Sequence, residues 1–109
     1  YAESCLEAQA VIIALANSRR ISQDSPWWIQ DMSACVENML LEITALGLGG
    51  VWLGMYPRQD RVNAIVKAFE LEPEMIPFAA VPVGYPDKKH IGKERFESER
   101  IRWEQVKSK

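Results

Sequence analysis

The stretch WWIQDMSACVENMLLEITALGLGGVWLGMY, residues 27–56, decides the fold, because a long helical pattern runs through a glycine-rich turn into a strand pattern. Its apolar residues recur at three- and four-residue spacing, which predicts a helix from Trp27 or Trp28 to about Leu46. The residues that form this stripe are Ile29, Met32, Val36, Leu40 and Ile43.

The predicted helix is apolar on more than one face. Cys35, Met39 and Leu46 widen the stripe, so we expect burial on more than one side, with Cys35 as a small core residue. A helix of this kind needs a sheet and a further partner to cover it, which indicates a layered domain.

Both ends of the helix carry residues that are typical of helix boundaries. Asp24 or Ser25 can cap the free backbone N–H groups, and Pro26 suits the first turn. A run of glycines that begins at Gly47 ends the helix, because glycine adopts the left-handed closing conformation without a side-chain clash.

Two strands flank this helix in the predicted order. Residues 8–16 form a short Val- and Ile-rich run that we interpret as a fully buried central strand, and a polar loop follows over 17–26. Residues 51–56 predict a second strand, which stops at Pro57.

The last part of the chain predicts a helix, a strand and an irregular arm. Residues 58–70 are amphipathic and residues 78–84 predict a third strand, in which Pro82 indicates an edge position or a strand end. Residues 86–109 form a basic arm with a short turn near 97–104. The apolar face of the second helix consists of Val62, Ile65, Val66 and Phe69.

Composition excludes several classes of protein. The chain has 109 residues, a formal net charge of −2 and a pI near 5.4, which argues against nucleic acid as the main partner. Its longest apolar run, residues 10–16, is far shorter than the roughly 20 residues that span a bilayer. Two cysteines, Cys5 and Cys35, without CxxC spacing and with His90 as the one histidine, argue against a zinc site and favour a reducing compartment, the cytoplasm.

Charge is distributed unevenly along the chain. Residues 1–86 hold five Lys and Arg against ten Asp and Glu, whereas residues 87–109 hold eight against five. A basic arm of this kind can meet a phosphate, an acidic partner subunit or water, and solvation is the default interpretation.

Residues 27–57 resemble the nitroreductase family of FMN-dependent oxidoreductases, in which a helix and strand follow the pattern DxSAAxxNxLLAAxxLGLGxVWLG. The resemblance continues through RVNAIVKAFELEPEMIPFAAVPVGYP, residues 61–86. It ends with KERFESERIRWE, residues 93–104, which is similar to the family's closing K-x-R-F segment. It implies an α/β or α+β layered fold with a central sheet flanked by helices.

Two motifs of the family are absent from the sequence. The family carries an Arg-rich R-R-S-x-R helix that grips the FMN phosphate and a PSAxNxQPW segment at the isoalloxazine ring, whereas SRRIS, residues 18–22, lies in a predicted loop. We therefore expect residues 1–109 to be the C-terminal part of a single nitroreductase-like domain whose N-terminal part is missing, with residues 86–109 as its arm.

The resemblance implies a function and a set of partners. The expected activity is ping-pong reduction of a nitroaromatic or quinone-like acceptor, with FMN as cofactor and NADH or NADPH as donor. The expected assembly is a homodimer with FMN at the subunit boundary. No residue in the sequence is a convincing catalytic acid or base, which agrees with a cofactor that carries the redox chemistry.

The resemblance places Val51, Trp52, Leu53 and Gly54 along the flavin edge, as cofactor-binding residues. Glycine at position 54 would let the main chain approach the ring with no Cβ in the way. The alternative for Gly54 is a strand bulge or a tight turn.

Four further residues are candidates for ligand contacts. Lys93 and Arg95 match the closing motif, which implies contacts to the FMN phosphate. The alternative is that both are solvated residues of the arm. Trp27 and Trp28 are candidates for the substrate pocket, and the alternative for them is packing in the core and at a dimer surface. Lys88 and Lys89 have no such match.

A non-catalytic function is the alternative to the enzyme. With half of a cofactor site, the chain would be a truncated remnant that acts as an interaction or structural module without bound flavin. A nucleic-acid binder has little support, because the arm nets only +3 and lacks interleaved aromatic residues.

Overall fold

The structure is a computed structural model that describes residues 7–88 and 91–107 of the chain. Cys5, Lys89 and His90, which entered the sequence predictions, lie outside the described residues. The elements in chain order are β1 (Ala10–Asn17), α1 (Trp27–Ala45), β2 (Gly49–Gly50), β3 (Leu53–Gly54), α2 (Gln59–Phe69), β4 (Met75–Gly84) and a 3-10 helix (Ser98–Arg100).

The ten-residue strand β4 is the middle of an antiparallel sheet. β1 pairs along one side of β4, and the two-residue strands β2 and β3 pair end to end along the other side. With α1 and α2 packed on this sheet, the architecture is α+β, which confirms the predicted fold class.

The predicted place of β1 within the sheet is wrong. Among the described residues β1 pairs only with β4, and its first half is exposed, so it is a partly buried edge strand rather than a fully buried central one. Val11 and Ile12 are 36% and 39% exposed. The apolar sequence of β1 reflects the burial of Ala14 and Ala16 under α1. It does not indicate how many strands pair with β1.

Pro82 was predicted at an edge strand or at a strand end: the edge alternative is wrong, because β4 is the middle strand, and Pro82 lies two residues before the end of β4 at Gly84. The carbonyl oxygen of Pro82 faces β2, 3.3 Å from where a Cβ on Gly50 would lie. The N–H and C=O of one strand residue point to the same side, so the missing N–H faces that side too. There the ladder is interrupted between Gly50, which pairs with Val83, and Leu53, which pairs with Ala80. A central strand thus accommodates proline at a local gap.

The predicted boundaries of the long helix are confirmed. α1 begins at Trp27 and ends at Ala45, within one residue of the expected limits. The hydroxyl of Ser25 accepts a hydrogen bond from the Trp27 N–H at 3.3 Å, while Pro26 occupies the N-cap position. Beyond the helix Gly47 adopts a φ of +76°, the left-handed conformation that glycine tolerates best.

The main core lies between α1 and the sheet. Val36 on α1 and Val81 on β4 are 0% exposed and mark its centre. Complete burial of side chains of this size stabilises the fold by about 1.5–3 kcal/mol each. The buried members of this cluster are Ala14, Ala16, Trp28, Val36, Ile43, Phe78, Ala79 and Val81.

The prediction that Cys35 is a core residue is wrong, because its side chain is exposed. A helix turns 100° per residue, so Cys35 lies about a quarter turn away from the buried Val36. Leu41 and Leu46 are 60% and 64% exposed. Within the described residues α1 therefore buries one stripe, and its other apolar side chains face outward.

The second helix packs as predicted, with one exception. Val62 is buried and Ile65 and Val66 pack against a second cluster of buried residues, formed with Leu53, Met55 and Ala80. Phe69, at the end of α2, is 59% exposed and does not join the predicted face.

The arm extends from the body of the molecule. Every described residue from Tyr85 to Lys107 is exposed, including Ile91 and Trp103 at 90% and 89%. The radius of gyration is 17.9 Å, whereas a compact chain of this length has a value of about 13 Å. In the described part of the predicted arm, the 3-10 helix Ser98–Arg100 lies within the region where a short turn was expected.

Candidate functional site

The segment that joins β2 to β3 follows one side of β4 without pairing continuously. Val51 and Trp52 lie between the two ladders, so the predicted single strand over 51–56 is wrong. Val51 is 44% exposed and Trp52 is half-buried, whereas Leu53 is buried. In the register of the two ladders the Val51 N–H faces the carbonyl oxygen of Pro82, whereas no hydrogen bond among the described residues uses the backbone N–H of Trp52.

Gly54 lies beside open space. Leu53 and Met55 are buried, and since side chains alternate along a strand, a side chain at Gly54 would point to the opposite face. A Cβ built on Gly54 has no heavy atom of the described chain within 4 Å, and its φ is not positive. The register shift of the sheet lies between Ala14 and Leu15, so Gly54 is not a bulge. Neither packing nor backbone conformation in the described chain requires glycine there.

Arg61 contacts this segment from α2. Its Nη1 donates a hydrogen bond to the carbonyl oxygen of Gly54 at 3.0 Å, and its side chain is half-buried. Sequence reasoning missed this residue, because Arg61 is a charged residue at the border of the apolar stripe, where a solvated side chain is the ordinary interpretation. The signal that could have found it is a cation in the first turn of a helix, where the helix dipole disfavours positive charge.

The aromatic residues of the site form one connected group. The Trp28 ring packs edge-on against Tyr56, with ring centroids 4.8 Å apart, and against Phe78 at 6.3 Å. Trp52 also approaches Phe78, at 6.3 Å. This group attaches the start of α1 to the segment over 51–54 through the middle strand.

The two tryptophans that were candidates for a substrate pocket occupy different environments. Trp28 is 6% exposed and lies in the main core, which is the packing alternative considered for it. Trp27 is 64% exposed at the first residue of α1. Of the pair, Trp27 alone presents its ring to an incoming molecule.

The two predicted phosphate contacts lie in the exposed arm. Lys93 and Arg95 are both exposed, and neither has a hydrogen-bond or ion-pair partner in the part of the chain that the structure describes. The structure thus brings Arg61 to the segment over 51–54, whereas it leaves Lys93 and Arg95 available on the arm.

Two depressions border the site elements. One, of about 340 Å³, adjoins Gly50 and Val51 and extends along the end of β4 to Tyr85 and Asp87. The other, of about 700 Å³, is lined mainly by apolar side chains of β1, α1 and the residues after α1. Cys35 lines this second depression, which agrees with its exposure.

The start of α2 holds an exposed ion pair next to Arg61. The Arg58 guanidinium donates two hydrogen bonds of 3.1 Å to the carboxylate of Asp60. The Arg58 hydrogen bonds hold the pKa of Asp60 below its ordinary value of 3.8. Of the two arginines in this turn, Arg58 is bound to a carboxylate and Arg61 to the main chain of the site.

Two searches bear on other kinds of site. Within residues 7–88 and 91–107, no group of three or more His, Cys, Asp or Glu side chains is placed to hold a metal ion. None of the helices there combines the length and the apolar character that a membrane span needs.

A model of the nitroreductase family matches residues 1–85, more than three quarters of the chain. The chain belongs to the nitroreductase family. A relative from Methanothermobacter thermautotrophicus, named "Putative NADH dehydrogenase/NAD(P)H nitroreductase", is 36% identical over 104 residues. That alignment covers 95% of this chain and 54% of the relative, so the nitroreductase chain spans about half the length of the relatives it matches.

Solved structures of other nitroreductases share the fold. A protein of the same name from Bacteroides thetaiotaomicron superposes with a TM-score of 0.84 at 33% identity, over 97% of this chain and 61% of that one. A nitroreductase from Desulfovibrio desulfuricans, solved in complex with FMN, superposes with a TM-score of 0.67 at 28% identity. That superposition covers 91% of this chain and 56% of that one.

The residues of the site fit an FMN ring and phosphate. The open space at Gly54 accepts a flat group at van der Waals distance, and the Trp52 N–H, which no hydrogen bond among the described residues uses, suits a polar atom at a ring edge. The available cations Lys93 and Arg95 suit a phosphate dianion.

Proposed function

We propose that this nitroreductase chain forms part of an FMN-dependent oxidoreductase that reduces nitroaromatic or quinone-like acceptors with NADH or NADPH. The observation that carries the proposal is the open space at Gly54, beside outward-facing N–H groups of Trp52 and Gly54 that no hydrogen bond among the described residues uses. FMN supplies the redox chemistry when bound, since it accepts two electrons from a nicotinamide and passes them on.

The protein's part in this reaction is positioning. The main chain over 51–54 supports one side of the ring, and the absence of a Cβ at Gly54 allows close contact. The N–H of Trp52, which faces away from the middle strand, donates to an acceptor atom at the ring edge. The aromatic contacts between Trp28, Tyr56 and Phe78 hold this segment rigid.

The remaining groups bind the phosphate and the substrates. Lys93 and Arg95 neutralise the phosphate through charge-assisted hydrogen bonds. The exposed ring of Trp27 is the surface on which a flat acceptor stacks. Donor and acceptor use the same open face in turn, which is a ping-pong order.

The proposed assembly is a homodimer in the cytoplasm. Its support is the set of large apolar side chains that remain exposed on α1 and on the arm, among them Leu41, Leu46, Ile91 and Trp103. Exposed apolar groups of this extent are typical of surfaces that a partner covers. The cytoplasmic location rests on the cysteine usage of the chain.

Flavin titration of the 109-residue chain tests the proposal. We expect FMN to acquire a protein-bound absorption band near 450 nm and its fluorescence to be quenched. Anaerobic addition of NADH or NADPH should bleach the band, and a nitroaromatic or quinone should restore it, because the two half-reactions are separate. A chain that forms stable oligomers but leaves FMN unchanged would support the non-catalytic interaction module instead.

A second comparison isolates the phosphate contacts. The double variant Lys93→Ala/Arg95→Ala should bind FMN about tenfold more weakly, since each charge-assisted bond contributes roughly 1.5–3 kcal/mol before solvent screening. Riboflavin, which lacks the phosphate, should bind both proteins equally. The matched control Lys88→Ala/Lys107→Ala removes the same charge from the arm and should keep the wild-type ratio of FMN to riboflavin affinity. Equal loss in the two double variants would show a general effect of arm charge.

A further inference from the structure

We infer that Arg61 is a positioning residue for the flavin-contacting segment: its guanidinium holds the Gly54 carbonyl and thereby sets the geometry of the residues over 51–54. This inference rests on the proposed function for the identity of the ligand. The contact itself is a 3.0 Å hydrogen bond between α2 and β3, across seven residues of sequence.

The ladder shows that the Gly54 carbonyl points away from the sheet. Leu53 pairs with Ala80 and Gly54 with Ala79, and the Met55 N–H donates to the Phe78 oxygen at 3.0 Å. In this antiparallel pattern the N–H and C=O of Gly54 both face the outer side. Arg61 therefore bonds the segment from the side that β4 does not reach.

The Gly54–Met55 peptide is consequently held at both of its polar groups. Its N–H is bound to Phe78 in the middle strand, and its carbonyl oxygen is bound to Arg61. Glycine permits a wide range of backbone conformations, so a peptide that follows a glycine needs external bonds to remain in one orientation. Without Arg61, the bond to Phe78 would be the one remaining hydrogen bond of this peptide among the described residues.

The bond also places a positive charge beside the open space at Gly54. The charge lies in the first turn of α2, where it opposes the helix dipole, so helix stability does not account for it. No hydrogen bond among the described residues uses the outward-facing Gly54 N–H. An N–H donor and a guanidinium on one edge together suit an electron-rich group, and the reduced form of a flavin is more electron-rich than the oxidised form.

Hydrogen exchange tests the positioning without any ligand. In the 109-residue chain, Arg61→Ala should speed exchange of the Met55 amide at least fivefold relative to wild type, because its peptide loses the outer bond. Arg58→Ala is the matched control, since Arg58 bonds Asp60 on the exposed side and leaves exchange at Met55 unchanged. Equal exchange at Met55 in the two variants would overturn the positioning role.

Flavin binding tests the link to the cofactor. Arg61→Ala should weaken FMN affinity about tenfold, whereas Arg58→Ala should stay within twofold of wild type. Arg61→Gln, which keeps a donor but loses the charge, should recover part of the affinity and shift the midpoint potential of bound FMN to more negative values. If Arg61→Ala does not fold, Arg61→Gln replaces it in the comparison of FMN affinity with Arg58→Ala.

The possible failures are distinguishable. Wild-type chain that binds no FMN would overturn the proposed function and the cofactor part of this inference, while the exchange result at Met55 would still decide whether Arg61 positions the segment. Wild-type chain that binds FMN, with Arg61→Ala equal to Arg58→Ala in affinity and exchange, would overturn the inference alone.

Discussion

Substitution by alanine should have opposite effects on stability at two glycines of this chain, Gly50 and Gly54. A Cβ on Gly54 meets no atom within 4 Å, whereas a Cβ on Gly50 lies 3.1 Å from Ile43 Cδ1 and 3.3 Å from the Pro82 oxygen. Ordinary contacts between carbon atoms are about 3.5–4.0 Å, so alanine at Gly50 compresses two neighbours. Alanine at Gly54 compresses none within the described chain.

The magnitudes follow from these distances. The Ile43 methyl can rotate away, but the Pro82 oxygen belongs to the middle strand, so Gly50→Ala should lower the free energy of unfolding by about 1–3 kcal/mol. Gly54→Ala should change it by less than about 1 kcal/mol, in the stabilising direction, because alanine restricts the unfolded chain. For a domain of this size each kcal/mol corresponds to about 4–8 °C in Tm.

For FMN affinity the order of the two variants should be reversed, with the larger loss in Gly54→Ala. The methyl of Gly54→Ala occupies the open space that we assign to the ring, so FMN affinity should fall at least tenfold, or about 1.4 kcal/mol. Thermal unfolding followed by circular dichroism and an FMN titration on the same samples give both quantities. A Gly54→Ala protein that binds FMN like wild type would refute the placement of the ring, and one destabilised as much as Gly50→Ala would refute the open space.

Four further substitutions examine the core, the ion pair and the cysteine. Trp28→Ala should lower the free energy of unfolding by about 3–5 kcal/mol, whereas Trp27→Ala should stay within about 0.5 kcal/mol, and chemical denaturation that shows equal losses would contradict the assigned burial. The stability that the Asp60 carboxylate contributes is present above its ordinary pKa of 3.8 and is lost as pH falls through its lowered pKa. Arg58→Ala should raise the pKa of Asp60 in an NMR titration of its carboxyl group, and an unchanged midpoint would exclude Arg58 as the cause. Cys35→Ser should change the free energy of unfolding by less than about 0.5 kcal/mol, because the thiol is exposed, and a loss above 1 kcal/mol would place it in the core after all.

Local pattern was enough to predict the two helices and the strands β1 and β4, but not the division of the predicted strand over 51–56. Apolar spacing and the terminal glycines gave α1 to within one residue, because both signals depend on neighbours along the chain. Which strands pair with each other could not be predicted in this way, because pairing joins residues that are distant in sequence. Burial of Ala14 and Ala16 resembles the pattern of a central strand, yet β1 has one strand neighbour in the part of the chain that the structure describes, since a helix packed on one face produces the same pattern as a second strand neighbour.

In the candidate site, too, some residues could be predicted from local sequence and others could not. Gly54 was predicted from the motif, and the structure adds that its space is open. Arg61 was not predicted, because its contact joins two elements through a main-chain carbonyl, and any residue type can supply a carbonyl. Trp27 and Trp28 are adjacent in sequence, and the helical rotation between them decides that one is buried and the other exposed.

The pairing of β1 with β4 has a consequence for how the chain is made. Their paired residues lie about 60 to 70 positions apart, and every other strand of the sheet also needs β4. At a synthesis rate of roughly 5–20 residues per second, β1 waits several seconds before its partner emerges from the ribosome. During that interval the run AVIIALA has no strand partner among the described residues, so chaperone capture during translation should concentrate on this segment and end once Gly84 is available.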